Sequence, residues 1–269
     1  MFERQVVWLT GASSGIGEAL AYEFSQDGAS VILSARNQGE LERVQRACPG
    51  EALVLPMDVT DQAAMKGIVE QANNWKGRID MLLNNAGISQ RSSCLNTDMQ
   101  TYRTVFEVDV FGQIALTKEV LPYMLEQGSG HMAVTASVAG KIGAPYRTGY
   151  CAAKHAMMGF FDALRSEVSH RNIKVTTITP GYIRTNISSN ALNGDGSRFG
   201  QVDADISAGM NVQDCAKVIM RGFNKGKQEI AVGRGLEMHA LWLKRLFPNM
   251  VFKLVAKQYR KSAEQNDLK

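Results

Sequence analysis

The apolar run RQVVWL (4–9) has the length of a strand, and TGASSGIGEALAYEF follows it directly. Gly11, Gly15 and Gly17 fall in the turn between them, after which apolar residues recur at helical spacing. Strand, glycine turn and helix in that order make a cradle for a dinucleotide. The glycines let the backbone approach a pyrophosphate, and the amides of a helix starting near Ser14 point at it with the positive end of the macrodipole. The spacing G-x-x-x-G-x-G differs from the commoner G-x-G-x-x-G, so the turn needs the rest of the chain to give it meaning.

The rest alternates strand and helix. Strand patterns near 5–10, 29–34, 52–56, 79–84, 130–135, 173–179 and 228–232 are separated by helical ones. That alternation predicts an α/β fold: a doubly wound parallel sheet of about seven strands, helices on both faces, Rossmann-type, in a single domain. A chain of 269 residues suits one such unit with ample core. No linker, repeat or low-complexity tract interrupts it, and 45% hydrophobic with 21% charged residues excludes a disordered or collagen-like chain. Ligands of open α/β sheets bind beyond the carboxyl ends of the strands. TGASSGIG, Asp58, NNAG, Ser137 and PGYIRT each follow a strand, so one crevice can collect them.

Ser137, Tyr150 and Lys154 carry the chemistry. TGYCAAKHAMMGFFDALRSEV has helical periodicity, which puts positions 150 and 154 on one face. A phenol beside an ammonium ion is drawn toward its phenolate form and can move a proton. Ser137, arriving from the end of a strand, can hydrogen-bond the same substrate oxygen and steady its charge. Taken alone, the Tyr/Lys pair could equally sit on an ordinary surface helix.

TGASSGIG at 10–17, NNAG at 84–87, Ser137, YCAAK at 150–154 and PGYIRT at 180–185 resemble the ordered motif set of the short-chain dehydrogenase/reductase family. The resemblance covers roughly residues 5–235. Its C-terminal part looks more like the membrane-associated hydroxysteroid-dehydrogenase-like and retinol-dehydrogenase-like members than like compact bacterial ketoacyl reductases. It implies reversible hydride transfer between nicotinamide and a carbonyl or secondary alcohol, on a substrate we expect to be lipophilic. Tyr150 would give the proton, Ser137 hold the oxygen, and Lys154 hold the nicotinamide ribose. The resemblance assigns Gly11, Ser13, Ser14, Gly15, Ile16 and Gly17 to the cofactor turn, Asp58 and Val59 to adenine, and Asn85, Ala86 and Gly87 to the strand end beside the cofactor. It assigns Pro180, Gly181, Ile183 and Thr185 to the nicotinamide end, and it implies a homodimer or homotetramer.

Asp109, in FEVDVFG, stands where the family usually has asparagine. The family residue helps hold a water on the lysine largely through its backbone carbonyl, which aspartate still supplies. A carboxylate near Lys154 would also strengthen the ammonium ion and compete for it, which leaves the sign of its effect on Tyr150 open; Asp109 is counted with Ser137, Tyr150 and Lys154 in the catalytic set.

Arg36 ends the second strand, SVILSARN, where an acidic residue would accept hydrogen bonds from an unphosphorylated ribose. Arginine suits a 2′-phosphate, so Ser34, Arg36 and Asn37 point to NADP(H) and to reduction as the working direction. The segment 186–211 is polar and glycine-bearing without periodicity and reads as a mobile substrate lid. Tyr182 is a candidate substrate wall, with Ser89, Val138, Ala139, Ala144 and Tyr146.

MHALWLKRLFPNMVFKLVAKQYRKSA (238–263) carries six basic residues, Lys244, Arg245, Lys253, Lys257, Arg260 and Lys261, and no acidic one. Taking these six from the net charge of +4 leaves −2 for the remainder, so the basic character is local. We divide the chain into a cofactor-binding domain, 1–235, and a helical extension, 236–269, broken at Pro248. A basic amphipathic tail can lie on an anionic membrane. The arrangement we expect instead packs its apolar faces over the substrate pocket or against another subunit. The four cysteines, Cys48, Cys94, Cys151 and Cys215, and the four histidines show no metal-binding spacing, so no metal is expected. No basic stripe accompanies a groove-reading motif, which argues against nucleic acid. With no apolar run of spanning length and no leader in this sequence, a cytoplasmic protein is expected. The competing function is a non-catalytic NADP(H)-binding or scaffold protein on the same fold.

Overall fold

Alternation of inward-facing residues along each strand builds two cores, one on each face of a single sheet. In the computed structural model, which describes residues 2–266, β1 (Val6–Thr10) sends Val7 and Leu9 to one face and Val6 and Trp8 to the other. The side chains of Gln258 and of 261–266 lie outside the description, so Lys261 is not placed, and residues 267–269 of the expected extension also fall outside it. The first core packs the helices α1 (Gly15–Gln26), α2 (Gln38–Ala47) and α8 (Val212–Asn224) through Leu20, Phe24, Leu41, Ile219 and Phe223. The second packs α3 (Gln62–Lys76), α5 (Gly112–Gln127) and α6 (Thr148–Val168) through Met65, Val69, Leu116 and Phe161.

The strands are β1, β2 (Ser30–Ser34), β3 (Ala52–Val54), β4 (Met81–Asn84), β5 (Gly130–Thr135), β6 (Ile173–Pro180) and β7 (Glu229–Val232). They pair in the order β3-β2-β1-β4-β5-β6-β7, every pair parallel. Chain order reverses between β1 and β4, which opens a crevice at their carboxyl ends. All seven expected strands are present.

Gly17 shows how closely α1 is held to β1. A Cβ there would stand 2.3 Å from the Gly11 carbonyl oxygen and 2.6 Å from Asn85 Nδ2, groups that cannot retreat. Gly17→Ala is therefore expected to cost about 3 kcal/mol and to lower Tm by several degrees. An unchanged thermal melt would contradict this packing.

Helix α4 (Met99–Phe106) runs through one wide π turn, Glu107–Phe111, into α5. The π turn shifts the helix by a residue and faces Asp109 inward. Segment 186–211, expected from its composition to be a mobile lid, is built of turns hydrogen-bonded to the body of the protein. Its Asn, Gly, Ser and Asp residues form turns stitched to the body: Leu192 donates its N–H to Ser89 (2.8 Å), Asp98 to Gly194 (2.9 Å) and Met210 to Tyr182 (2.8 Å). A one-turn helix, α7 (Ala204–Ser207), closes it. After β7, α9 (Leu236–Leu246) and α10 (Pro248–Asn266) separate at Pro248 as expected. A third apolar cluster of Val138, Ile142 and Val251, with Leu241, Leu243 and Val255 against it, fastens them over the cleft.

Candidate active site at the carboxyl edge of the sheet

One cavity of about 1940 Å³ runs along the carboxyl edge from Arg36 to α10. At its first end, Gly11 and Gly15 hold φ of +62° and +59°, a left-handed backbone open to glycine at little cost. Ser14 stands at the N-cap of α1 with no side-chain cap bond, unlike Asn37, Asp61 and Asn211 on α2, α3 and α8. The first-turn amides of α1 are thus left for a ligand. A Cβ on Gly15 would come within 3.2 Å of the Thr185 methyl group, so the two walls of the cleft stand about one side chain apart.

Ser13, Ser14, Ile16, Arg36, Asn37, Asp58, Val59, Asn85, Ala86 and Gly87 line this end, and Pro180, Gly181, Ile183 and Thr185 line the far wall. Gly17 does not line it. Its work is the helix contact described above. Asn85 is turned to the sheet, its amide donating to the carbonyls of Thr10 (3.1 Å) and Gly11 (3.4 Å). Asn37 Oδ1 caps α2 by accepting the Glu40 N–H (3.2 Å), while Arg36 stays exposed at the cavity rim. Ser34 lines the cavity beside Arg36 and Asn37, while its buried hydroxyl accepts from the Trp8 indole (2.9 Å) and donates to Leu55 O (2.7 Å). Asp58 accepts the N–H and hydroxyl of Thr60 (2.9 and 2.8 Å). Burial opposes its charge, but these donors and the Arg36 cation hold its pKa below the ordinary carboxylate value.

At the centre, Ser137, Tyr150 and Lys154 line the same cavity. Ser137 Oγ accepts the Ala139 N–H (3.1 Å), which leaves its own O–H to donate elsewhere. Tyr150 is 9% exposed, and Lys154 Nζ lies 5.6 Å from its ring centre. Lys154, 3% exposed, donates to Thr135 O (3.2 Å) and pairs with Asp109 Oδ2 at 3.0 Å. Asp109 is wholly buried, and its Oδ1 accepts the Ile88 N–H (2.7 Å). Burial alone would drive the proton off Lys154. The charge of Asp109, with a smaller contribution from Tyr150, outweighs it and raises the lysine pKa. For Asp109, burial dominates and pushes the carboxyl up against the pull of Lys154 and the Ile88 amide. Cys151, the neighbour of Tyr150, turns away and accepts the Ala144 N–H on its thiol (3.3 Å).

The match of the short chain dehydrogenase family model to residues 5–195 decides the family. The chain belongs to the short-chain dehydrogenase/reductase family. Among curated relatives, a dehydrogenase/reductase SDR family protein 7-like of Anopheles gambiae is 40% identical over 265 residues, covering 96% of this chain and 84% of its own. Human dehydrogenase/reductase SDR family member 7 is 38% identical over 271 residues, covering 96% and 79%. Among solved structures, a short-chain dehydrogenase from Streptomyces avermitilis is 28% identical with a TM-score of 0.81, covering 97% of each chain. One from Burkholderia phymatum, solved with NAD, is 22% identical with a TM-score of 0.81 over 93% of this chain and 95% of its own, a likeness of fold. As a member of this family the chain is an oxidoreductase.

Two features of this short-chain dehydrogenase left no sequence signal. Asp203, in the segment 186–211, pairs with Arg147 and with Arg91 (3.1 Å), pinning the loop beside the substrate end. Glu237, in the first turn of α9, accepts the N–H groups of Tyr182 and Gly235 (both 3.3 Å) and so ties the C-terminal helices to the Pro180–Gly181 turn. Both are contacts between segments far apart in sequence and carry no local pattern. Tyr182 lines the cavity, and its phenol pKa is raised by burial and then by Asp205. Among the described residues no group of three His, Cys, Asp or Glu side chains gathers as a metal site, and no helix is long and apolar enough to cross a membrane.

Proposed function

We propose that the chain is an NADPH-dependent carbonyl reductase acting on a lipophilic ketone or aldehyde, with residues 1–235 holding the cofactor and 236–269 shaping the substrate end. The observation that carries this reading is the convergence of Ser137, Tyr150 and the buried Lys154 ammonium on one cavity wall, with the Ser137 O–H uncommitted inside the protein.

The residues present fit a phosphorylated dinucleotide. The glycine turn and the uncapped start of α1 suit the pyrophosphate, Arg36 the 2′-phosphate, and Asp58 and Val59 the adenine. Lys154 would hold the nicotinamide ribose, and Ile183 and Thr185 would orient the carboxamide. When bound, the nicotinamide supplies the hydride. Tyr150 gives its proton to the substrate carbonyl oxygen, Ser137 donates a hydrogen bond to that oxygen, and Lys154 keeps positive charge beneath the developing oxyanion. Val138, Ala144, Tyr146, Leu243 and Val255 make the wall beyond them largely apolar, which favours a hydrophobic substrate.

Loss of NADPH absorbance against a panel of ketones, aldehydes and quinones tests the reading. Turnover of at least one apolar carbonyl compound is expected. Tight NADPH binding with silence across the panel would favour a cofactor-binding scaffold instead. For the cofactor, the unaltered protein should bind NADPH more tightly than NADH. Arg36→Ala should weaken NADPH binding roughly 10- to 100-fold and leave NADH nearly unchanged. Equal affinities of the unaltered protein for the two would overturn the choice of cofactor.

A further inference from the structure

The substrate end of the cavity is bounded by a surface that a water-facing enzyme has no reason to keep. Trp242, Leu246, Phe247 and Leu254 line the cavity, yet they are 72%, 69%, 59% and 53% exposed. Leu243, Val251 and Val255 turn in against Val138 and Ile142, while Trp242, Leu246, Phe247 and Leu254 stay exposed and form an apolar rim at the cavity. Rims of this kind mark interaction sites.

The charges beside the rim select its occupant. Arg245, Lys253, Lys257 and Arg260 are exposed on the same two helices, and residues 238–263 contain no acidic side chain. On α10, Met250, Leu254 and Lys257 follow at i, i+4 and i+7, so the basic groups border the apolar stripe. Lys244 is spent internally, donating to Lys141 O at 2.6 Å. A second copy of the chain seated here by two-fold symmetry would bring the same acid-free patch against itself and offer its basic residues no opposite charge. An anionic bilayer meets both properties, taking apolar side chains into its interface and basic ones at its headgroups.

We propose that the α9–α10 face docks on an anionic lipid surface, with the substrate end of the cavity opening toward the bilayer, from which a lipophilic carbonyl compound enters. The docking stands on the surface alone, and only the route of entry rests on the reductase reading.

The test is cosedimentation of the full chain with vesicles of phosphatidylcholine, or of phosphatidylcholine with about a quarter phosphatidylglycerol. The protein is expected to sediment with the anionic vesicles, to be released by salt, and to shift Trp242 fluorescence to the blue. Lys253→Gln with Lys257→Gln should weaken this binding on the order of 30-fold while leaving turnover of a water-soluble carbonyl compound unchanged. Phe247→Ser should weaken it as well, at unchanged charge. Protein that stays in the supernatant, or that binds neutral and anionic vesicles alike, overturns the proposal. So does a solution dimer that Trp242→Ser dissociates, which would make the rim a subunit interface. Reductase activity without vesicle binding would remove the docking and leave the catalytic reading intact, and vesicle binding without turnover would do the reverse.

Discussion

Tyr150→Phe is expected to lower carbonyl turnover by roughly 10²- to 10⁴-fold while leaving NADPH affinity within about twofold. In the proposed mechanism the phenol hands a proton to the substrate oxygen, and phenylalanine keeps the ring against Lys154 while removing the hydroxyl that carries it. Steady-state kinetics paired with a direct NADPH titration separates the two effects. A ground-state binding role for Tyr150 would appear instead as a raised KM at unchanged kcat. Turnover equal to that of the unaltered protein would take Tyr150 out of the chemistry.

The second large effect lies in the buried ion pair behind Tyr150. Lys154 and Asp109 are both buried and paired at 3.0 Å. Asp109→Ala leaves the ammonium without its counter-charge and the Ile88 N–H without its acceptor. We expect a loss of about 3–5 kcal/mol and a fall in Tm of about 10 °C. Asp109→Asn keeps an acceptor for Ile88 and should cost clearly less, so the difference between the two variants isolates the acceptor from the charge. The pH dependence has a definite sign. The Lys154 pKa is raised in the folded state, so its contribution is present at neutral pH and lost as pH climbs through the folded value, above the ordinary lysine range near about 10.4. Equal thermal stability of the unaltered protein and Asp109→Ala would show that the pair contributes nothing.

Elements whose reason for forming is local were legible in the sequence. The strands announce themselves by runs such as VVWLT and SVILS, and the turn at Gly11 and Gly15 by residues that tolerate positive φ. Tyr150 and Lys154 lie one turn apart on α6, so helical periodicity alone placed them together. Asp109 stood out as a departure from a motif, but the π turn that faces it inward has no signature in EVDVF. The bond from the Trp8 indole to the Ser34 hydroxyl has no sign in the sequence, since a serine at a strand end does not announce its partner. In segment 186–211 the turn-forming composition is plain in the sequence, but the partners of its turns are not. Its anchor, Asp203, meets Arg91 and Arg147 only once the fold exists. Contacts of that kind lie outside any short window of sequence.

Hydride transfer to a carbonyl carbon is proposed for the cavity that joins the glycine turn to Ser137, Tyr150 and Lys154. The most direct measurement uses NADPH deuterated at the nicotinamide C4, in separate preparations for each face of the ring, with the carbonyl panel and mass analysis of the products. The account predicts a carbinol that carries the deuterium from one face only, formed by the unaltered protein and lost in Tyr150→Phe. NADPH held tightly with no deuterium in any product, or deuterium transferred equally well by Tyr150→Phe, would contradict it.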